Sequence, residues 1–224
     1  MRLRGRGAVA PGVGPPGTAS VAAVALLGAA ALLVPTACRA GVAATGRSGG
    51  WTITVYYTAV QRYHSGAATT VTGCPRLDCS HGTSNLGEYP KDFVAAVHDE
   101  GTGVTTAGRY LNWSYDTGYW IDSAPRDTAG RALRPFESAA ADPQVLKANT
   151  RFTIAACGRA DDGSMPPADV CAKLRAAHWT ITDEFTPGFG GKKHIDAYIG
   201  EETGPGFTDS PWYLTLEAAV LRIA

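Results

Sequence analysis

The sequence predicts a mainly β protein, built as a barrel or a sandwich of short strands. About six short apolar runs, rich in β-branched and aromatic residues, are spread along the chain. The chain also carries 27 Gly and 14 Pro, many of them between these runs, where such residues mark turns. The run from Trp51 to Tyr57 alternates with period two, which is typical of a strand with one buried face.

The predicted elements follow in chain order. The first strand covers 51–57 and places Trp51, Ile53, Val55 and Tyr57 on one face. The other predicted strands cover 93–97, 152–156, 179–182, 194–199 and 218–223. One helix is predicted over 168–175, after Pro166 and Pro167, and a second at Ser210, with Ser210 as N-cap and Pro211 in the first helical position.

Residues 1–44 are predicted to be a signal peptide or an N-terminal anchor. Three arginines and no acid precede the apolar run 21–34, which is shorter than a membrane span requires. Cleavage between Ala40 and Ala44 would leave 45–224 as a single domain, with an insertion at about 60–135 and no stable membrane span. Cys38 permits a lipoprotein, and an uncleaved anchor is a third arrangement. Ordinary secretion is favoured because Pro35 stands where a lipoprotein signal has an aliphatic residue.

Charge and motifs exclude several classes of function. Residues 1–44 hold four arginines and no acids, so 45–224 keeps 16 basic side chains against 20 acidic ones, a net charge of −4. With no basic run of five or more, nucleic acid is not expected as the main partner. The chain has no G-x-S-x-G elbow, which argues against a serine hydrolase.

Four cysteines beyond the N-terminal segment predict two disulfides in an oxidising compartment. Three pairings are possible. Cys74–Cys79 and Cys157–Cys171 are favoured because each pair closes a short loop within one local segment. A metal site from Cys74, Cys79, His81 and His64 is the alternative, and it lacks a paired C-x-x-C. We therefore expect no metal and no cofactor.

Three aspartates stand in distinctive settings in the last third of the chain. Asp142 lies before Pro143, Asp183 ends the run 179–182, and Asp196 lies inside the run 194–199. A Gly-rich segment, 188–193, joins the last two. An acid embedded in an apolar run needs a partner or a function, because an unpaired buried carboxylate is costly.

This ordered set resembles the 3D (three-aspartate) domain, the catalytic part of MltA-type lytic transglycosylases and of related secreted bacterial cell-wall proteins. The segments that carry the resemblance are Val55-Tyr56-Tyr57-Thr58-Ala59, 141–150, Thr182-Asp183, His194-Ile195-Asp196-Ala197-Tyr198 and the closing strand 217–223. The residues after Asp183 read Glu184-Phe185-Thr186 where the family has T-G-G. The resemblance implies a six-stranded double-psi β-barrel, here with a long loop insertion and one or two short helices.

The resemblance also implies a chemistry. Asp196 would be the general acid/base that cleaves β-1,4 glycosidic bonds of peptidoglycan, and Asp183 would tune and orient it. Such an acid must be protonated near neutral pH, and two aspartates on neighbouring strands would raise each other's pKa. Asp142 would hold its turn and the groove floor. Tyr56, Thr58 and Lys192 would contact the glycan.

Simpler interpretations of these residues stay open. Asp142 and Asp183 could be turn residues, and Asp196 could form an ion pair with Lys192 or Lys193. A true hydrolase would need a second carboxylate, for which the flanking acids are candidates: Glu184, Glu201 and Glu202.

Two non-catalytic functions are also compatible with the sequence. Trp113, Tyr115, Tyr119 and Trp120 cluster within 98–137 and either stack on sugars or pack against the barrel. A row formed by Trp113, Tyr115 and Trp120 would suit an expansin-like wall polysaccharide binder. The loop braced by Cys74 and Cys79 would suit a secreted protein inhibitor. In each case we expect a monomer.

Overall fold

The computed structural model describes residues 46–224. The predicted signal peptide and Cys38 lie outside the described residues. No helix within 46–224 has the length and apolar character needed to cross a membrane.

Strands dominate the described chain, with two α-helices between them. In chain order the elements are β1 (Gly46–Val60), β2 (Ala68–Gly73), β3 (Ser84–Pro90), α1 (Lys91–Glu100), β4 (Thr102–Val104), β5 (Tyr110–Ser114), β6 (Gly118–Asp122), β7 (Ser138–Ala141), β8 (Arg151–Ala156), β9 (Arg159–Ala160), α2 (Ala168–Ala176), β10 (Trp179–Glu184), β11 (His194–Glu201) and β12 (Leu216–Ile223). Short 3-10 turns cover Gln61–Tyr63 and Phe207–Asp209.

Six strands close into a barrel, which confirms the predicted fold class. The ring runs β1-β11-β7-β10-β8-β12 and returns to β1. The pairs β1–β11 and β7–β10 are parallel, and the other four are antiparallel. Closure matters because it leaves no edge in the barrel and holds neighbouring strands in fixed register.

The sixth barrel strand differs from the predicted one. The run 93–97 lies in helix α1, where Phe93 and Val97 are one turn apart and share one fully buried face. Its place in the barrel belongs to β7, a run of Ser138 and three alanines that are all buried. Alanine favours helices and carries no strand signal, so only the packing of β10 and β11 on both sides identifies this strand.

The helix predictions have mixed outcomes. Helix α2 begins at Ala168, directly after Pro166 and Pro167, as predicted. The helix predicted at Ser210 is wrong. Ser210 follows a 3-10 turn instead, its hydroxyl accepts a hydrogen bond from the Trp212 amide at 3.3 Å, and the chain continues into β12. A short Ser-Pro signal cannot override the pairing of the following segment with β1 and β8.

The interior of the barrel holds the main hydrophobic core. Trp51, Ile53 and Val55 of β1 point into it, as the period-two pattern predicts. Tyr57 does not, because the register between β1 and β11 shifts between Tyr56 and Thr58. Its ring packs into a second core outside the barrel.

That second core makes the insertion a folded unit rather than the long loop that was predicted. The insertion contains the β2–β3 hairpin, helix α1 and the sheet β4-β5-β6, and β4 pairs with the end of β1. The buried members of the core include Phe93, Val97 and Leu111 from the insertion and Tyr57 from the barrel. This shared core anchors the insertion against the outside of the barrel.

Both favoured disulfides are present, Cys74–Cys79 and Cys157–Cys171. The alternative metal site is therefore wrong, since two of its four ligands are bonded to each other. Within 46–224, no group of three or more His, Cys, Asp or Glu side chains could hold a metal ion.

Candidate active site

Asp183 and Asp196 lie on the outer face of the barrel wall, one on each side of β7. Ala140 of β7 is opposite Asp183 in one pairing and opposite Asp196 in the other. Residues opposite each other in a sheet share a face, so both carboxyl groups stand on the same side, separated by the small Ala140.

The prediction that the two aspartates lie on neighbouring strands is therefore wrong, because β7 lies between them. Their backbones are two strand spacings apart, about 10 Å. Their carboxylates still repel each other, and this repulsion contributes to the raised pKa of Asp196. The intervening strand was invisible in the sequence because it is the alanine run that carried no strand signal.

Among the described residues, the Asp196 carboxyl group has no positively charged partner. Burial, together with the negative charge of Asp183, raises its pKa to about 7, while the Thr54 hydroxyl acts in the opposite direction. No described residue hydrogen-bonds its buried Oδ1 atom. None of the ion pairs among residues 46–224 includes Asp196. Lys193, one of its two suggested partners, donates to the Gly49 carbonyl at 2.7 Å instead.

Asp183 is in contrast fully hydrogen-bonded. Its Oδ1 atom accepts from the amides of Thr128 and Glu184, both at 2.9 Å, and the Tyr56 hydroxyl donates to its Oδ2 at 3.3 Å. Burial raises the pKa of Asp183 to about 6, and the two amides limit that increase. Three donors fix the orientation of this carboxyl group, which suits a tuning role better than proton donation.

A turn at Asp127 was missed by the sequence reasoning. The buried carboxylate of Asp127 accepts from the Ala129 and Arg131 amides at 3.0 and 2.7 Å, and from Arg131 Nε at 2.8 Å. Arg131 also donates to the Thr182 carbonyl of β10. The turn thereby delivers the Thr128 amide to Asp183. Asp127 followed by Gly130 is a recognisable turn signal, but it does not say where the turn docks.

Tyr56 and Thr58, the predicted substrate contacts on β1, are both buried. The Tyr56 hydroxyl is bound to Asp183, and its ring packs against Tyr198 with centroids 5.2 Å apart. Thr58 is 0% exposed, and its hydroxyl lies 2.6 Å from the Tyr198 hydroxyl. The hydroxyl groups of both residues are therefore already engaged inside the wall, and the glycan contacts expected of them stay a prediction.

Asp142 lies at the end of β7, beneath the Gly-rich loop. Its Oδ1 atom accepts from the Gln144 amide at 2.8 Å, which closes a turn at Pro143. A Cβ atom on Gly190 would stand only 2.8 Å from Asp142 Cβ, so the loop can approach this closely only with glycine there. In the same loop Lys192 is exposed and Phe189 is 42% exposed.

The predicted aromatic row is not formed. Trp120 is fully buried, and half-buried Trp113 packs on the His98 ring with centroids 4.2 Å apart. Only Tyr115 of the three is well exposed. These rings mainly pack within the insertion, which was the simpler of the two interpretations.

The three flanking glutamates have different surroundings. Glu184 and Glu201 are exposed. Glu202 is buried. It accepts from the Val60 amide at 2.5 Å and pairs with His64 Nε2 at 2.8 Å. It is thus held in a separate structural cluster and is not free to act as the second carboxylate of a hydrolase.

Comparison with solved structures finds similar folds among lytic transglycosylases. The E. coli MltA structure with bound chitohexaose shares 13% identity over 80% of this chain and 72% of that one, with a TM-score of 0.48. A membrane-bound lytic murein transglycosylase from Agrobacterium tumefaciens shares 13% identity over 77% of this chain and 73% of that one, with a TM-score of 0.47. The lytic transglycosylase LtgG of Burkholderia pseudomallei shares 13% identity over 79% of this chain and 71% of that one, with a TM-score of 0.36. These likenesses concern the general fold, so the chemistry of the site has to follow from its own residues.

No family model matches the chain, and no curated protein matches it.

Proposed function

We propose that this protein is a secreted lytic transglycosylase that cleaves the β-1,4 glycosidic bonds of peptidoglycan, with Asp196 as its general acid/base. The observation that carries the proposal is the state of Asp196. Its carboxyl group has a pKa of about 7, no cationic partner among the described residues and one oxygen free of hydrogen bonds. An acid that must both donate and accept a proton near neutral pH has these properties.

The reaction requires a single carboxyl group. Protonated Asp196 gives its proton to the glycosidic oxygen while the bond from that oxygen to the anomeric carbon breaks. The Asp196 carboxylate then takes the proton of the muramic acid 6-hydroxyl as this oxygen attacks the same carbon. The products are a 1,6-anhydro sugar and a chain with a free 4-hydroxyl, so no water is consumed. This matches a site in which the only candidates for a second carboxylate are tied to donors or exposed.

The surrounding residues have supporting roles in the proposal. Asp183, held by Tyr56 and the Thr128 amide, keeps negative charge near Asp196 and so favours its protonated form. The loop above Asp142 would form one side of the groove. In it the exposed Lys192 would bind an anionic group of the glycan.

The location and partner are part of the proposal. Two disulfides fit an oxidising compartment outside the cytoplasm, and the N-terminal segment 1–44 would direct export. The partner is then the cell-wall glycan, and the protein acts as a monomer. Membership of the three-aspartate family stays a prediction from the sequence.

The decisive experiment is digestion of purified peptidoglycan by residues 45–224 and by Asp196→Asn, with products identified by mass spectrometry. Wild type should release anhydro-muropeptides, and Asp196→Asn should lose at least about 10³-fold of that activity. Asp161→Asn, an exposed acid on the far side of the barrel near β9, is the matched control and should retain full activity.

Two other outcomes would change the assignment. Products with ordinary reducing ends would indicate a hydrolase and a second carboxylate. Absence of products, with sedimentation on the cell wall retained, would reject the enzyme and favour a wall-binding protein.

A further inference from the structure

His64 lies between two carboxyl groups that belong to different parts of the chain. Its Nε2 atom is 2.8 Å from Oε1 of Glu202, which directly follows β11 of the barrel. Its Nδ1 atom is 3.5 Å from Oδ2 of Asp92, in the first turn of helix α1. The three side chains and the backbone amides that the two acids bind are called the Glu202 cluster below. The cluster connects the barrel to the insertion through one imidazole ring.

The geometry of the cluster requires an N–H group on each nitrogen of the ring. An ionised carboxyl group only accepts hydrogen bonds, and each ring nitrogen of His64 faces one such group. A neutral imidazole has a single N–H, so its other nitrogen would direct a lone pair at a carboxylate. Only the protonated ring can therefore interact favourably with Glu202 and Asp92 at the same time.

The charges that face the His64 ring favour this protonated form. The hydrogen bond to Glu202 raises the pKa of His64 above its usual value, and the charge of Asp92 acts in the same direction, while burial opposes both. Arg62, in the same segment, is turned onto the Tyr63 ring, with its guanidinium carbon 4.7 Å from the ring centroid and Nη2 donating to the Tyr63 hydroxyl at 3.0 Å. The two acids therefore determine the charge state of His64.

Asp92 also holds the backbone that follows His64. Its carboxylate accepts from the Ser65 and Gly66 amides at 3.1 and 2.8 Å, and a Cβ atom on Gly66 would stand only 2.6 Å from Asp92 Oδ1. The next residue of α1, Phe93, is fully buried and packs edge-on against the His64 ring, with centroids 5.7 Å apart. The segment after β1 and the first turn of α1 therefore hold each other in place.

We propose that His64 is a pH-sensitive latch that fastens the first turn of helix α1, and so this side of the insertion, to the barrel. The protonated ring donates to Glu202 and Asp92 together. When the proton is lost, the remaining N–H stays with Glu202, the closer acceptor, and the contact with Asp92 is released. Because the folded protein favours the charged ring, the latch is closed below the ordinary histidine pKa of 6.5 and opens as the pH rises through the higher pKa of folded His64.

The test follows His64 and the Gly66 amide by NMR in residues 45–224. The imidazole signal should give a titration midpoint above 6.5. From one pH unit below that midpoint to one unit above it, the protection factor of the Gly66 amide, corrected for intrinsic exchange, should fall about three- to tenfold. A local readout is needed because Asp196 and Glu100, with pKa values of about 7 and 8, change global stability in the same range.

Two histidine variants isolate the latch. His64→Gln keeps a side-chain N–H for Glu202 but cannot be protonated, so its Gly66 protection factor should stay at the high-pH level of wild type over the whole range. His98→Gln is the matched control, since His98 lies in the same helix beside an acid, with Nδ1 3.1 Å from Asp99, and is half exposed. This control should retain the wild-type change at Gly66.

Asp92→Asn keeps the test decisive if His64→Gln folds poorly, because Asp92 is half exposed. Loss of its charge should lower the His64 midpoint by about 0.3–0.7 pH unit, and Asp161→Asn, far from His64 near β9, should leave it unchanged. A His64 midpoint at or below 6.5 would overturn the latch, as would an unchanged midpoint in Asp92→Asn or the same pH dependence of Gly66 exchange in wild type and His64→Gln. None of these readouts depends on catalytic activity, so the latch and the transglycosylase can fail separately.

Discussion

Asp196 and Glu202 are two buried acids of the same chain segment, and they have opposite surroundings. Asp196 lies within β11, and Glu202 directly follows it. Glu202 is 4% exposed and accepts hydrogen bonds from the Val60 amide and from His64, which in turn lies 3.5 Å from Asp92. Asp196 has Asp183 and Glu100 nearby, and its Oδ1 atom has no hydrogen-bond partner among residues 46–224.

The comparison shows that burial alone does not make an acid reactive. Around Glu202 the neighbours are donors, and the hydrogen bond to Glu202 is the main cause that raises the pKa of His64 and so favours its charged form. Around Asp196 the neighbours include acids, and its pKa rises to about 7. The first site joins β1, the segment after it and the end of β11. At the second site, burial and the charge of Asp183 favour the protonated form of Asp196.

Glu100 is an instructive intermediate. Burial raises its pKa to about 8, yet its two oxygens accept from the Tyr213 hydroxyl at 3.1 Å and the Tyr57 amide at 3.3 Å. It is thus kept protonated near neutral pH but has both oxygens occupied, and it faces the core between helix α1 and the barrel. A raised pKa therefore indicates a reactive acid only together with a free oxygen.

The largest effect on stability should come from removing the carboxyl group of Glu202. Glu202→Ala leaves the Val60 amide and His64 without their partner, and should lower the free energy of unfolding by about 3 kcal/mol. Urea unfolding at neutral pH measures this. The neighbouring Glu201→Ala, which removes an exposed acid bound only to the Tyr110 hydroxyl at 3.2 Å, should cost less than about 1 kcal/mol. If both substitutions lower the unfolding free energy equally, the hydrogen bonds of Glu202 do not stabilise the fold.

The contribution of Asp196 to the pH dependence of stability should be smaller than the effect of Glu202→Ala. Its pKa is about 7 in the folded protein, well above the ordinary value of 3.8. The folded state therefore binds the proton more tightly, so the contribution of Asp196 to stability is lost as pH rises from about 4 to about 7. A difference of about 3 pH units corresponds to at most about 4 kcal/mol, and solvent that reaches the partly exposed side chain reduces this, so over that range wild type should lose about 1–2 kcal/mol relative to Asp196→Asn. Unfolding free energies of the two proteins across this range test the prediction, and parallel curves would contradict it.

The smallest effect is expected at the outer edge of the Glu202 cluster. Asp92 is half exposed and accepts from the Ser65 and Gly66 amides at 3.1 and 2.8 Å. Asp92→Ala should lower the unfolding free energy by about 0.5–1 kcal/mol at neutral pH. These amides lower the pKa of Asp92, so its contribution is present above the ordinary pKa and should disappear as the pH falls below it. If Asp92→Ala still lowers the unfolding free energy at acid pH, the loss comes from side-chain packing and not from the charge of Asp92.

The sequence predicted the parts of the site that lie in strongly patterned segments. The strands that carry Tyr56, Asp183 and Asp196 are rich in β-branched and aromatic residues, and the glycines of 188–191 marked the loop between two of them. It failed where the local signal was absent or misleading. The alanine run of β7 has no strand pattern, and the apolar run 93–97 suits a strand and a helix equally well.

Some features of the site could not be predicted because they are contacts between distant segments. The Thr128 amide reaches Asp183 across 55 positions of the chain, and His64 reaches Glu202 across 138. No local pattern records such pairs. The burial of Thr58 and Trp120 could not be read from the sequence for the same reason, because it depends on strands and loops far away along the chain.

By itself the sequence determined five of the six barrel strands, the order of the three aspartates and two short-range disulfides, because these depend on residue type and on neighbours close along the chain. The tertiary structure decided that β7 separates Asp183 from Asp196, that donors surround Glu202 and that Asp196 Oδ1 has no hydrogen-bond partner among the described residues. Barrel closure produces these arrangements, because it brings strands from both ends of the chain side by side and so fixes which charges meet.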